Sequence, residues 1–246
     1  MSPTISSSQS TDSSAGLAET ALAASFDLGA DTAEARVLSI AQRFGFDVLH
    51  EIEVLDLLLS AAGEADAFQA AETLIGRFGG LPAVLAADRG ELLLRISEKA
   101  AFALKLARAV ATRLAAAALP RRDLMGSTSQ VTAFLKAQMV GIPREEFWVL
   151  FLDRLNQLVV CERLGQGTVN HVAVYPREVM RRALEVNASA LILAHNHPSG
   201  DPTPSSDDVV MTKQIVAAGK ALGVGVWDHM IVGRDRVLSL KAEGLM

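Results

Sequence analysis

One short stretch of the chain concentrates residues that can do chemistry: Ala194-His195-Asn196-His197-Pro198-Ser199-Gly200-Asp201-Pro202-Thr203-Pro204-Ser205-Ser206-Asp207-Asp208. His195 and His197 follow an apolar run. Residues two apart in an extended chain point to the same side, so both imidazoles can face one ion. Pro198, Pro202 and Pro204 with Gly200 stiffen the loop that follows. That loop leads into a helix with Asp208 in its first turn. Two imidazoles and one carboxylate suit zinc and leave a fourth position for water, which is the catalytic rather than the structural arrangement. The ligand types favour zinc over iron or manganese without forcing it. Plainer readings stand beside this one. His-x-His pairs are common on protein surfaces, and Ser205-x-x-Asp208 also reads as a helix capping box with Asp in place of the usual Glu or Gln. Spacing alone leaves both open.

The elements that must position these residues follow from the surrounding pattern. Phe147–Asp153 reads as a buried strand, Asn156 as a turn and Leu158–Leu164 as a second strand. Pro176 fits a first helical turn, with the helix running on to Glu185. Ala190–Ala194 is a short central strand, and Ser206–Leu222 a helix ended by Gly223. Val224–Trp227, Met230–Val232 and Val237–Leu240 read as three further strands, and Ser127–Val140 as a helix. This is an α/β (α+β) pattern for residues 126–246. Residues 31–119 differ: apolar residues recur at helical spacing, with breaks at Gly79-Gly80 and near Asp88, which predicts a small all-helical domain. Pro120-Arg121-Arg122-Asp123 interrupts the pattern, so residues 120–125 read as a linker. Residues 1–30 open with a Ser-rich run and read as a disordered tail.

Composition bounds the rest. The 246 residues carry a net charge of −5, half are hydrophobic, and there is one cysteine. Cys161 alone excludes a disulfide framework within the chain and a thiolate-only zinc knuckle, and in an apolar strand it reads as packing. No apolar stretch approaches the ~20 residues of a membrane helix, and the start lacks a basic n-region, so a soluble, cytoplasmic protein without a membrane partner is expected. The net charge hides a gradient. Residues 1–88 have three basic and thirteen acidic side chains, residues 89–122 have eight basic and two acidic, and residues 126–246 have twelve of each. The basic stretch is read as a solvated helix face or as a patch for phosphates.

The run His195-x-His197-Pro198, six residues, Ser205-x-x-Asp208 resembles the JAMM motif of JAB/MPN-type zinc metalloproteases. With Tyr175-Pro176-Arg177-Glu178 and Asp228-His229-Met230-Ile231-Val232-Gly233, it is most similar to the RadC family of bacterial proteins. The resemblance is strong over residues 126–246 and weaker over Glu53–Arg113. It implies a C-terminal JAB/MPN-like domain with a mixed sheet flanked by helices, and a zinc-dependent hydrolase acting on a peptide or isopeptide bond in a peptide or protein substrate. By the same resemblance His195, His197 and Asp208 bind zinc, a glutamate is the general base and Ser205 helps to hold the oxyanion. Glu145 matches the RadC spacing better, while Glu146 fits the wider JAMM class about as well. His229 reads first as a core histidine, with a role orienting a ligand as the alternative. One departure stands out. The family's N-terminal region carries a helix-hairpin-helix-like Gly-x-Gly turn that lets backbone N–H groups approach a phosphate. Here Leu94-Arg95-Ile96-Ser97-Glu98-Lys99-Ala100-Ala101 has neither glycine, so the element is degenerate. A DNA-associated accessory role, resting on the basic segment with the zinc domain auxiliary, is the alternative expectation.

Overall fold

The computed structural model describes residues 33–119, 124, 128–167 and 174–246. The Ser-rich tail, most of the 120–125 connection with Arg121 and Arg122, and His171 lie outside the described residues.

The first half is helical: α1 (Ala33–Phe44), a 3-10 turn (Phe46–Val48), α2 (Glu51–Ala61), α3 (Ala67–Phe78), α4 (Leu81–Ala86), α5 (Arg89–Leu93) and α6 (Glu98–Ala117). Local chemistry sets the ends. The Glu53 carboxylate accepts the His50 N–H and closes a box at the start of α2. Gly79 takes the left-handed conformation that stops α3. Ser97 caps α6 by accepting the Ala100 N–H. Leu55, Leu59, Leu74, Val84, Leu92 and Leu104 are fully buried in one apolar cluster that ties α2, α3, α4, α5 and α6 together.

The second half builds a five-stranded mixed sheet from β1 (Glu146–Leu152), β2 (Leu158–Gln166), β3 (Ala190–Asn196), β4 (Gly225–Val232) and β5 (Val237–Ser239), in the order β2-β1-β3-β4-β5. Only β3 and β4 run parallel. The connection between them is the loop bearing His197 and the helix α9 (Ser206–Leu222). Alternation along β3 divides the core. Ala190, Ile192 and Ala194 meet α7 (Thr128–Met139) through Val131, Phe134 and Leu135. Leu191 and Leu193 face the other way, with α8 (Pro176–Glu185) and α9, against Val179, Ala183 and Ile215. Every residue of β3 is buried, as expected for the central strand.

One local expectation is corrected. Val224–Trp227 and Met230–Val232 are one strand, not two. The polar pair Asp228-His229 breaks the apolar run in the sequence, but the ladder passes through it, with a register shift that skips Trp227. The Asp228 carboxylate is satisfied by the Ser239 hydroxyl and the N–H groups of His229 and Lys241, so the strand has no need to stop.

Candidate metal centre

His195 belongs to β3 and lies on the same face as Leu191 and Leu193, which carries it toward α9. His197 sits one residue past the strand, tied to it by its N–H to the Val232 carbonyl at 3.0 Å. The loop then folds on itself. Gly200 donates to the His197 carbonyl, and the Asp201 carboxylate accepts from the Thr203 N–H and hydroxyl. It ends at Ser205, which caps α9 and brings Asp208 in from the first turn. His195 Nε2 is 3.0 Å from His197 Nε2 and 3.3 Å from Asp208 Oδ1, and His197 Nε2 is 3.7 Å from Asp208 Oδ2. All three ligand atoms lie within 4.8 Å of one another. Atoms about 2.0–2.1 Å from a tetrahedral zinc stand about 3.3 Å apart, close to the His195–His197 and His195–Asp208 Oδ1 separations.

Proton bookkeeping supports the fit. Thr212 Oγ1 is 2.6 Å from the Asp208 carbonyl, to which it can only donate. Its single hydrogen is thereby used. The 2.5 Å contact from Thr212 Oγ1 to His229 Nδ1 then requires that ring nitrogen to be the donor. Complete burial pushes His229 well below its ordinary pKa, so the ring is neutral and its Nε2 is bare. That nitrogen accepts from His195 Nδ1 at 2.8 Å, which leaves His195 Nε2 without a hydrogen. His197 Nδ1 donates to the Asp201 carbonyl at 2.7 Å, so when that ring is neutral its Nε2 is bare as well. With both rings neutral, two lone pairs converge beside a carboxylate. Such an arrangement is unfavourable until a cation lies among them.

The titration directions describe the same field. Burial draws His195 down to about 4, against the pull of Asp208. His197 is raised, first by its hydrogen bond to Asp208 and against its own burial. Burial pushes the Asp208 carboxyl up, but the bonds from His197 and Ser205 and the nearness of His195 outweigh it and hold the group below the usual carboxylate range.

The two glutamates part company. Glu145 is buried, with Oε1 4.0 Å from His195 Nε2. Glu146 turns the other way, where its carboxylate accepts from Trp148 Nε1 at 2.9 Å and from Arg163 at 2.6 Å. Asn196, on the face of β3 opposite the histidines, sets this divergence. Its side-chain oxygen accepts the Glu146 N–H, and its amide donates to the Ile142 and Arg144 carbonyls. Ser205 shows that the capping-box and ligand readings are compatible. Its N–H and hydroxyl both bind Asp208 Oδ2, at 2.8 and 2.7 Å, while Oδ1 is the oxygen nearer His195. Its hydroxyl hydrogen thus points at Asp208.

Sequence reasoning missed the chain through His229 and Thr212 and the pinning by Asn196. One signal was available: Thr212 is four residues after Asp208, hence on the same helix face. His229, expected first as a core histidine, is fully buried and also contacts the ring of a metal-site histidine.

The basic stretch of the helical half is largely engaged internally. Lys105 donates to the Leu85 and Ala87 carbonyls, and Arg108 to those of Gln138 and Val140. Arg89 pairs with Glu98. At the degenerate hairpin the Ser97 N–H is taken by the Glu64 carboxylate at 2.9 Å, so a negative group already sits at the α6 N-terminus.

Comparison with known proteins agrees with this geometry. A family model described as the RadC-like JAB domain matches residues 125–245. A curated protein of Rhodobacter capsulatus named "UPF0758 protein" is 44% identical over 205 residues, 82% of this chain and 96% of its own length. With the sheet, the His-His-Asp cluster and these matches in agreement, the chain belongs to the RadC family and carries its JAB domain in the second half.

Proposed function

We propose that the protein is a zinc-dependent hydrolase of the metallopeptidase type, cleaving a peptide or isopeptide bond. The observation that carries this reading is the convergence of two imidazole Nε2 atoms and the Asp208 carboxylate within 4.8 Å of one another, with the Glu145 carboxylate beside them. His195, His197 and Asp208 would hold the ion, which when bound polarises a carbonyl and lowers the pKa of a water to about 7. Glu145 takes the proton from the attacking water and returns it to the leaving amine, a role within its reach and denied to Glu146 by Arg163 and Trp148. Ser205 fixes Asp208, and its hydroxyl has to turn from Oδ2 to reach an oxyanion. Internal use of Lys105, Arg108 and the Ser97 N–H weighs against the DNA-associated reading.

Two measurements test the proposal. Protein purified without added metal is expected to hold about one equivalent of zinc, lost in the His195→Ala/His197→Ala double variant. Glu145→Gln is expected to keep the zinc and lose hydrolysis of a peptide library by about a hundredfold or more, with Glu146→Gln far milder. Zinc at trace level, or hydrolysis indifferent to Glu145, overturns the reading.

A further inference from the structure

A cavity of about 290 Å³ lies where the two halves of the chain meet. Gly79, Gly80 and Pro82 line it from the helical half, and His197, Gly200 and Arg234 from the other. One wall is therefore a residue of the metal cluster, and the opposite wall is the turn between α3 and α4.

Arg234 is held in place by its backbone. Its N–H binds the Gly200 carbonyl at 2.9 Å, and the next carbonyl, that of Asp235, accepts from Lys136 Nζ at 2.6 Å. Gly200 makes room for its side chain, since a Cβ there would stand 3.1 Å from Arg234 Cβ, and the guanidinium reaches the Gly79 turn, 4.0 Å from where a Cβ of Gly79 would lie. Among the described residues the exposed Arg234 guanidinium makes no hydrogen bond or ion pair. Glu51 and Asp235 also line the cavity, and the Glu51 carboxylate accepts the Leu81 N–H at 2.8 Å. A planar fork of free N–H donors on a pinned turn matches a carboxylate, which it can bind through two parallel hydrogen bonds.

We propose that this interdomain cavity is a recognition pocket for a carboxylate-bearing segment of the substrate, read by Arg234; the proposal rests on the hydrolase reading above. The carboxylate is either an acidic side chain or a free chain terminus, and both present the same two oxygens. The test uses the full-length, zinc-loaded protein and four fluorescent peptides of one neutral sequence. One is amidated, one has a free C-terminus, one is amidated with a single Glu, and one is amidated with Gln in its place. Anisotropy reads binding and mass spectrometry reads cleavage. One or both carboxylate peptides are expected to bind roughly tenfold tighter than their neutral partners, and which of them does so identifies the source. Arg234→Gln should erase the preference without changing zinc content, and Arg234→Lys should restore only part of it, because an ammonium cannot form the fork. A preference that survives in Arg234→Gln, equal binding of all four peptides, or no binding of any overturns the pocket. Cleavage without a carboxylate preference overturns it while leaving the hydrolase reading intact. Arg234-dependent capture with no cleavage of any peptide supports the pocket and overturns the hydrolase reading.

Discussion

At the scale of single residues, the direction of each hydrogen bond carries more information than the list of ligands. The grouping itself was legible: His195, His197 and Asp208 stand at a spacing that a strand, a stiff loop and a helix start can bring together, and the fold does bring them together. His229 was not, because nothing local to it in the sequence tells a packed histidine from one that orients another ring. The chain from the Asp208 carbonyl through Thr212 and His229 fixes which nitrogen of His195 is bare. His229→Ala is accordingly expected to weaken zinc binding by about 10–100-fold, read by competition with a chromophoric chelator, although it never touches the ion. Unchanged affinity would show that the relay is ornamental. Cys161 offers a separate check. Burial, with Glu162 nearby, pushes its thiol up to about 12. The reactive thiolate is therefore scarce throughout the neutral range and gains only as pH climbs toward that value. At pH 8 the native protein should resist alkylation by iodoacetamide, and labelling should appear only on unfolding. Fast native labelling would contradict this environment.

At the scale of elements, the loop between β3 and α9 is organised by what caps what. Ser205 both starts α9 and aims Asp208, so one serine links a helix end to a ligand. Ser205→Ala should lower stability by about 1 kcal/mol in a denaturant titration. Zinc affinity should fall with it, since Asp208 loses the hydroxyl that orients it; a stability loss with affinity untouched would separate the two roles. The strands and helices around the site were readable from alternation and from Gly and Pro punctuation. β4 was not readable as one strand, because Asp228 and His229 look like a break until their partners on β3, α9 and the segment after β5 are known. Strand alternation already sends Glu145 and Glu146 to opposite faces. Which of them faces the histidines was hidden, since Asn196, which takes the Glu146 N–H, lies fifty residues further along the chain.

At the scale of the whole molecule, the two halves share more than a connection. Arg108 of α6 donates to the carbonyls of Gln138 and Val140, the open end of α7. Burial lowers its pKa, against the attraction of Glu146. Arg108→Ala is expected to destabilise the protein by about 1–3 kcal/mol, since it strips a charge-assisted bond from carbonyls at the junction. A protein as stable as the parent in thermal melts would mean water replaces the guanidinium freely. Gly141 makes the contact closer still. Its φ is +78°, and a Cβ there would lie 2.5 Å from the Ala83 backbone. Gly141→Val should cost about 2 kcal/mol or more, because neither side of the clash is a movable side chain. The charge gradient along the sequence gave no hint of this junction, since Arg108 meets backbone carbonyls there and Gly141 meets the Ala83 backbone.

The fit between Gly141 and Ala83 has a practical corollary for anyone preparing the protein. The sequence invites a cut near residue 125, where one pattern yields to another. That cut would strip a polypeptide wall from the second half, bare the carbonyls that Arg108 covers and open one side of the cavity next to His197. A fragment made this way would keep His195, His197 and Asp208, yet its inactivity would say little about the intact protein.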